Sequence, residues 1–269
     1  MLRRIFPFAA DLWGHRELLW QFTLRNVEVR HKGSHLGLIW SFLNPLLMLG
    51  LYVLVFGYIF GGKFGVLPNE TRVDYALGIF LGLTFFHFIA EVLGISPTLI
   101  VGNPNFVKKV VFPLEILPAA SVCGAVFHML ISLGLVLVSL VIFGARTPLT
   151  IFWLPVIIAP VILLGLGLSW FCSALGVFFR DIGQVMQFIS TALMWASGVF
   201  FSAQKFPAAW AYLRFNPLLL AIDLTRDAAL WARPLNFHHL AYLYATGLLG
   251  CILGHFAFKR MKPAFADVI

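Results

Sequence analysis

Residues 30–40 read RHKGSHLGLIW, and the chain changes character within this stretch. Basic and polar side chains precede Gly33 and Ser34, whereas no charged residue occurs from Leu36 to Phe60. This apolar run is longer than the roughly 20 residues that a transmembrane helix needs. Gly33 can end one helix, and Ser34 can cap the next by accepting a backbone N–H. The stretch therefore predicts that the chain turns from an aqueous interface into a bilayer here.

The composition of the whole chain indicates a membrane protein as well. Of its 269 residues, 61% are hydrophobic and only 11% are charged, whereas about 25% are charged in a typical soluble domain. The three cysteines lack the paired spacing of a metal site or a disulfide framework. Although the net charge is +8, the basic residues mostly border apolar segments, as in membrane proteins. We predict an all-α polytopic membrane protein that binds neither metal nor nucleic acid.

Six apolar segments are long enough to cross a membrane as helices. We place these spans at about 36–60, 76–101, 116–142, 151–179, 183–204 and 240–258. Because their number is even, both termini lie on one side of the membrane. That side carries twelve of the 19 Lys and Arg residues and the other side carries seven. Since Lys and Arg accumulate in cytoplasmic loops, both termini are predicted to be cytoplasmic.

Residues 1–35 form a separate N-terminal segment ahead of the transmembrane domain, 36–269. Within it, residues 17–32 have the pattern of an amphipathic helix that lies in the membrane interface. The predicted apolar side comprises Leu18, Leu19, Phe22 and Val29. The predicted polar side comprises Arg25, Glu28 and Lys32. The basic residues would face anionic lipid head groups.

The segment between the fifth and sixth spans is unusually apolar for a loop. It reads FPAAWAYLRFNPLLLAIDLTRDAALWARP (206–234), and three prolines interrupt it. We predict two short helices within 207–232, at about 207–214 and 217–232, that dip into the outer leaflet and return. Such helices need protein or water around their free backbone groups, so a cavity should lie nearby.

Two sets of ionisable residues raise alternatives. Asp223 and Asp227 share a helix face and could bind a metal or act as acid and base in a membrane-embedded enzyme. With Arg226 they could instead form a solvated, ion-paired helix edge, which the lack of a metal-ligand signature favours. Glu91, with His87 one turn earlier, could relay protons or form a structural hydrogen bond to a neighbouring helix, and we favour the bond.

Aromatic residues form stripes on two predicted spans. Tyr52, Phe56 and Phe60 repeat every four residues, while Phe188 and Trp195 lie seven apart. Their flat faces suit sliding contact with sugar rings. Contact with lipid or with other helices would explain the same periodicity. The chain contains no GxxxxGK[ST] phosphate-binding motif. If it transports actively, the ATPase is a different chain.

Four motifs, in order along the chain, resemble the ABC-2-type permeases of polysaccharide exporters. They are RHKGSHLGLIWSFLNPLL (30–47), NPNFVKKVVFPLEILP (103–118), FFRDIGQVMQF (178–188) and NPLLLAIDLTRDAAL (216–230). The chain resembles the O-antigen and teichoic-acid branch more than the capsule branch. This resemblance implies export of a polyprenyl-pyrophosphate-linked polysaccharide, most simply O-antigen, across a bacterial inner membrane. It implies a transport subunit, not an enzyme.

The resemblance also implies partners and roles for particular residues. It implies a homodimer bound to two ATP-binding subunits, which hold ATP and Mg²⁺, with no cofactor in this chain. The implied channel is lined by the first and fifth spans, with Tyr52, Phe56, Phe60, Phe188 and Trp195. The implied coupling helix, which docks on the ATPase, runs from Asn105 to Glu115 and includes Lys108, Lys109 and Phe112. Residues 17–32 would be the gate.

A lipid-linked glycan carries a charged head group that must be gathered at the inner interface. We predict that Arg25, Arg30 and Lys32 capture it, each contributing about 1 kcal/mol near the surface. Ordinary positive-inside topology explains the same residues, and Lys108 and Lys109 could share the task or contact the ATPase. Capsule or teichoic-acid polymers, small lipids and drugs stay open as alternative cargoes, and an envelope-synthesis enzyme as an alternative class.

Overall fold

The computed structural model describes residues 7–29, 35–66, 68–109, 111–142, 149–202 and 212–269. Within these ranges the chain forms helices, turns and bends, and no β-strand. Five helical segments are long and apolar enough to cross a membrane: Trp40–Ile59, Arg72–Thr98, Ile116–Ile142, Leu149–Phe178 and Phe237–Val268. The prediction of an all-helical, polytopic membrane protein is confirmed.

Eleven α-helices of the described ranges are numbered here in chain order. They are α1 Pro7–Gly14, α2 Arg16–Val29, α3 Trp40–Tyr52, α4 Arg72–Ile95, α5 Pro104–Lys108, α6 Ile116–Ile142, α7 Leu154–Phe178, α8 Ile182–Ala196, α9 Pro217–Ala229, α10 Phe237–Met261 and α11 Phe265–Val268. A π-helix, Val53–Ile59, continues α3. Short 3₁₀ turns lie at Gly37–Ile39, Ser96–Thr98, Leu149–Trp153 and Lys262–Ala264.

Helix α4 lies at the centre of the subunit and α3 at its edge. In the most apolar part of each span, 83% of the residues are buried in Arg72–Thr98 but only 11% in Trp40–Ile59. Helix α4 begins at Arg72, four residues before the predicted start. The reason is a capping box, in which Asp74 N donates to Thr71 Oγ1 (3.1 Å) and Thr71 N donates to Asp74 Oδ2 (2.9 Å). The first turn is therefore polar.

The first span changes its winding near its end. Helix α3 continues past Pro45 without a break in its helical assignment. The irregular part is the π-helix Val53–Ile59, after which Phe60 N donates to Val55 O (2.8 Å). Such wide turns occur frequently at functional sites. This π-helix carries Phe56, the middle residue of the predicted aromatic stripe.

Helices α7 and α10 run parallel and pack closely through glycines. A Cβ at Gly247 would overlap the carbonyl of Pro160, and a Cβ at Gly254 would overlap the carbonyl of Gly167. Because the residue numbers rise together along both helices, the two helices point the same way. Small residues allow helix backbones to approach in this manner inside a membrane.

The parallel pair requires the chain to return along the bundle between Phe178 and Phe237. Thr150, just before α7, donates to the carbonyl of Ala228 in α9 (2.7 Å), so the return is complete by α9. Among the described residues between α7 and α10, α8 is the longest helix, and its 15 residues extend about 22 Å.

The predicted fifth span, 183–204, is wrong in its extent. Helix α8 ends at Ala196, and Gly198 adopts a φ of +65° that ends the helical path. The amide of Asn216 donates to the carbonyl of Ala196 (3.1 Å) and so satisfies one backbone group at the end of α8. Residues 203–204 lie outside the described residues.

The predicted pair of short helices is described only in part. Most of the first, 207–214, lies outside the described residues, which resume at 212. The second is confirmed as a helix, α9, although it ends at Ala229 and not at 232. Asn216 caps it by accepting from Leu218 N (3.0 Å). Nearly every residue of α9 is buried.

The last span is longer than the predicted 240–258 at both ends. Helix α10 begins at Phe237 because Asn236 caps it: the side-chain oxygen of Asn236 accepts from His238 N (3.0 Å). At the other end, Lys259 pairs with Asp11 of α1, and the chain continues to Phe265, which packs on Phe258 with ring centroids 5.4 Å apart. The last turn of this helix contains Lys259 and Arg260. A span predicted from hydropathy ends before such charged residues, so it was too short at this end.

Candidate transport path and coupling surface

The aromatic residues predicted on the first span lie in one row. The rings of Tyr52 and Phe56 are 5.8 Å apart at 29°, and those of Phe56 and Phe60 are 5.7 Å apart at 26°. Both pairs are therefore stacked along the same side of the helix. This geometry is typical of favourable aromatic pairs. The predicted stripe exists as a continuous surface.

Phe200, which the sequence analysis missed, joins this row to helix α8. Its ring lies 5.6 Å from that of Phe56 and 5.6 Å from that of Trp195. Trp195 is thereby part of the same aromatic cluster as the first span. Phe200 follows the turn at Gly198 and belongs to no periodic pattern, so helical spacing could not reveal it. We call Tyr52, Phe56, Phe60, Trp195 and Phe200 the aromatic path.

Much of the aromatic path is accessible in a single subunit. Phe60 is 70% exposed and Trp195 is 62% exposed. Phe188 is 75% exposed and lies two turns before Trp195 on α8. It has no ring contact with the aromatic path in the described part of the chain. The structure thus brings four of the five predicted channel residues together. Their free faces can contact lipid, a second chain or a ligand.

The predicted coupling segment contains a helix, but a short one. Helix α5 has five residues, Pro104–Lys108, and the predicted helix from Asn105 to Glu115 is wrong in its length. Pro113 lacks a backbone N–H and disfavours helical geometry at the residue before it. The side chains of Asn105, Lys108 and Lys109 are exposed. Together with Val111, which is fully exposed, they form the accessible part of the segment among the described residues.

Two other predicted coupling residues point into the subunit. Phe112 stacks on Phe106 with centroids 4.6 Å apart, and both rings contact Phe22 of α2, at 5.3 and 5.7 Å. This triad ties the coupling segment to the N-terminal helix. Glu115 is buried and accepts from Lys262 Nζ through both oxygens (2.9 Å each). It holds the end of α10, away from the exposed residues.

Helix α2 lies against α6 with a partly apolar inner side. Thr23 and Val27 are buried, and Leu19 and Phe22 are half-buried. Val29, at the C-terminal end of α2, is exposed in the single subunit, and its predicted place on the apolar side stays a prediction. The helix ends near this residue, where no packing partner covers it among the described residues.

Of the predicted head-group residues, the structure places one. Arg25 is exposed, and its guanidinium lies 5.7 Å from the ring of Phe22. Arg30 and Lys32 lie outside the described residues. Arg25 therefore sits directly beside the aromatic triad that joins α2 to the coupling segment.

Arg226 does not lie on a solvated helix edge, which corrects the sequence-based interpretation. It is fully buried. Nε donates to Gly78 O (3.0 Å), Nη1 to Gly198 O (2.8 Å) and Nη2 to Val199 O (2.6 Å). A planar guanidinium can address several carbonyls at once. Arg226 thus binds α9 to α4 and to the turn that precedes Phe200.

The two aspartates near Arg226 differ in their surroundings. Asp223 Oδ1 lies 3.7 Å from Arg226 Nη1, so the predicted ion pairing is confirmed for this residue. Burial raises the pKa of Asp223 to about 6, against the lowering effect of Arg226. Burial and the charge of Asp223 raise the pKa of Asp227 to about 6. Burial lowers the pKa of Arg226 to about 10. Asp223, Arg226 and Asp227 thus form a largely buried cluster of ionisable groups in the C-terminal half of α9.

A second polar group lies within the membrane-spanning region. His128 Nδ1 of α6 is 3.2 Å from Glu91 Oε1 of α4, which confirms the predicted link from Glu91 to a neighbouring helix. His87 is exposed one turn before Glu91. All three line a groove of about 710 Å³ between α3, α4 and α6. Tyr52 of the aromatic path lines the same groove.

Comparison with known proteins gives a consistent set of matches. Residues 17–230 match the model of the ABC-2 type transporter family. The chain is 26% identical over 255 residues to an O-antigen export system permease protein RfbA of Klebsiella pneumoniae, covering 94% of this chain and 95% of that protein. It is 27% identical over 214 residues to the RfbA of Myxococcus xanthus, with 78% and 79% coverage. It is 24% identical over 246 residues to the polysialic acid transport protein KpsM of Escherichia coli, with 90% and 92% coverage.

Proposed function

The chain belongs to the ABC-2 type transporter family, and on this premise we propose that it is the permease subunit of an ATP-driven polysaccharide exporter. The proposed cargo is a polyprenyl-pyrophosphate-linked glycan, most simply O-antigen, which moves from the cytoplasmic to the outer face of a bacterial inner membrane. The relatives named as O-antigen export permeases support this choice because they align over most of their length. The observation that carries it is the aromatic path, which offers stacked flat faces along a span.

The proposed topology has six crossings with both termini in the cytoplasm. Five are the long apolar segments, and α8 with the turn after it makes the sixth. The parallel packing of α7 and α10 supports this count, because parallel spans need an intervening return. In this topology α9 is the re-entrant helix of the outer leaflet, and its backbone is covered by protein as such helices require.

The proposed assembly is a homodimer with two ATP-binding subunits. The sparsely buried first span supports a second copy at that face, because Trp40–Ile59 has few contacts within its own subunit. Pairing two aromatic paths across the dimer axis would line a channel with rings. The flat apolar faces of these rings would give sugar rings a surface for sliding contact.

Coupling to the ATPase is proposed to run through α5. Lys108 and Lys109 are exposed for docking, while Phe106 and Phe112 transmit a displacement of α5 to Phe22 of α2. Helix α2 would then move as the gate, with Arg25 beside it at the head group. ATP-driven closure of the partner subunits would switch the whole unit between two rigid-body states.

Deletion of the gene tests the function in the cell. We expect surface O-polysaccharide to vanish from gels and glycan-specific blots, while its lipid-linked form accumulates at the cytoplasmic face. Complementation with the wild-type gene should restore the surface glycan. Loss of a capsule polymer instead would favour the cargo named for the KpsM relative. Normal surface glycans with altered small-molecule export would show that the chain exports another class of cargo.

A further inference from the structure

The groove between α3, α4 and α6 has the composition of a binding site. Its volume of about 710 Å³ falls in the range of roughly 300–1,000 Å³ typical of small-molecule sites. Polar side chains reach it from all three helices: Ser41, Asn44, Thr84, His87, Glu91, His128 and Ser132. Apolar and aromatic side chains make up the rest of its wall. A convergent polar group within an apolar wall is the usual arrangement of a ligand pocket.

The charges of the groove indicate the chemistry of its ligand. Glu91 is its one carboxylate, and no lysine or arginine lines it among the described residues. In the described part of the groove, a pyrophosphate head group would meet a carboxylate without a fixed positive charge to balance it. Hydroxyl groups suit the site better, because a carboxylate accepts their hydrogens and His, Asn and Ser side chains can both donate and accept.

The walls of the groove add a second argument for a sugar. Trp40, Tyr52 and Phe80 line it together with the polar residues. Aromatic rings offer flat apolar faces, and those of Tyr and Trp also carry a polar group. Tyr52 belongs to both the groove and the aromatic path, since its ring stacks on Phe56. A sugar bound in the groove would thus also contact Tyr52, the first residue of the aromatic path.

The contact between Glu91 and His128 prepares the site. With His128 Nδ1 at 3.2 Å, the carboxylate of Glu91 is held between α4 and α6. His87 lies one turn away on α4 and exposed, so its ring is accessible from the groove. Preorganised polar groups cost little additional ordering when a ligand binds.

We propose that this groove binds a neutral sugar residue of the lipid-linked glycan, separately from the capture of its charged head group. The proposal rests on the proposed function and adds a sugar-recognition site to it. Glu91 and His87 contact the sugar hydroxyls, His128 positions Glu91, and the aromatic wall contacts the ring face. The transporter thereby distinguishes a glycan-bearing lipid from the bare carrier lipid.

The test measures binding to the complete transporter, with its ATP-binding subunits, in lipid nanodiscs. The two probes are the lipid-linked glycan extracted from the deletion strain and undecaprenyl pyrophosphate without a glycan. His87→Ala and Glu91→Gln should each weaken binding of the glycan-bearing lipid by about tenfold, as expected for loss of a hydrogen bond to a charged or polar group. Their binding of undecaprenyl pyrophosphate should stay within about twofold.

His238→Ala is the matched control, because His238 is exposed on α10 outside the groove. It should bind both probes as the wild type does. Equal weakening of the binding of both probes by the groove variants, or unchanged binding of both, would overturn the proposal.

His87→Ala leaves the contact between Glu91 and His128 intact, so it tests ligand binding even if Glu91→Gln disturbs folding. The deletion strain separates the two proposals: normal surface glycan there contradicts the proposed function, whereas groove variants that bind normally contradict the sugar site alone.

Discussion

Arg226 shows how a single buried side chain joins α9 to α4 and to the turn after α8. Its three donors reach carbonyls of α4 and of the turn after α8, and its guanidinium lies 4.4 Å from the ring of Phe64. The turn it binds carries Phe200, the residue that joins Trp195 to the first span. The geometry of the aromatic path therefore depends on a buried charge that does not belong to it.

Arg226→Ala should destabilise the subunit by about 3–5 kcal/mol, since it leaves buried carbonyls unpaired and Asp223 without its partner. Arg226→Lys should recover only part of this loss, because an ammonium cannot match the planar fork. Thermal unfolding of the purified protein in detergent measures both. Arg214→Ala, at an exposed arginine, is the control and should change little. Equal stability of Arg226→Ala and the control would refute this role.

At the scale of elements, the close packing of α7 on α10 holds these two helices parallel to each other. The two helices touch through backbone at Gly167 and Gly254, where side chains would not fit. Dispersion contacts and close backbone approach stabilise such pairs in a membrane, where apolar side chains gain little from leaving lipid. The same contact makes the return along α8 necessary.

Gly254→Leu should separate α7 from α10 and prevent stable accumulation of the protein in membranes. Gly134→Leu on α6 adds the same side chain where no atom lies within 4 Å of a new Cβ, and it should be tolerated. Immunoblots of membrane fractions and size-exclusion profiles compare the two. Normal accumulation of both variants would contradict the close packing of α7 and α10.

The exposed lysines at the C-terminal end of α5, Lys108 and Lys109, give a test of the proposed coupling surface. Lys108→Glu combined with Lys109→Glu should reduce co-purification with the ATP-binding subunit several-fold, because both charges are reversed at an accessible surface. The membrane abundance of the permease should stay normal. Lys63→Glu, in the loop before α4, is the control at the opposite end of the proposed topology. If ATPase binding survives the double reversal, docking must use other residues.

Several elements could be predicted from the sequence, because apolar length specifies the long spans and prolines mark the starts of shorter helices. The third span is confirmed at 116–142, and α9 begins at the predicted Pro217. The end of α8 and the burial of Arg226 could not be predicted in this way. Both depend on contacts between distant segments, and hydropathy treats an arginine as exposed whether or not carbonyls surround it. Phe200 was missed for the same reason, since its partners lie far along the chain.

At the scale of the whole molecule, the distribution of buried and exposed helices fits the proposed homodimer. Its central helix is enclosed, whereas its first span has few internal contacts and carries much of the aromatic path. Arg25 and the triad of Phe22, Phe106 and Phe112 lie at the end where the proposed ATPase docks. In the proposed assembly, Arg25 and this triad would serve head-group capture and coupling, and the aromatic path would serve sugar contact.

The most direct test of this account is glycan translocation in proteoliposomes that contain the permease and its ATP-binding subunit. Lipid-linked glycan that crosses the bilayer becomes protected from, or accessible to, a lectin added outside, depending on the orientation of the transporter. We expect translocation that requires ATP hydrolysis, and a several-fold slower rate for Tyr52→Ala and Trp195→Ala, as the loss of aromatic contacts worth about 0.5–1.5 kcal/mol predicts. Phe256→Ala, at an exposed ring of α10, should transport normally. Glycan that stays on its original side with ATP present, or equal rates for all three variants, would contradict the account.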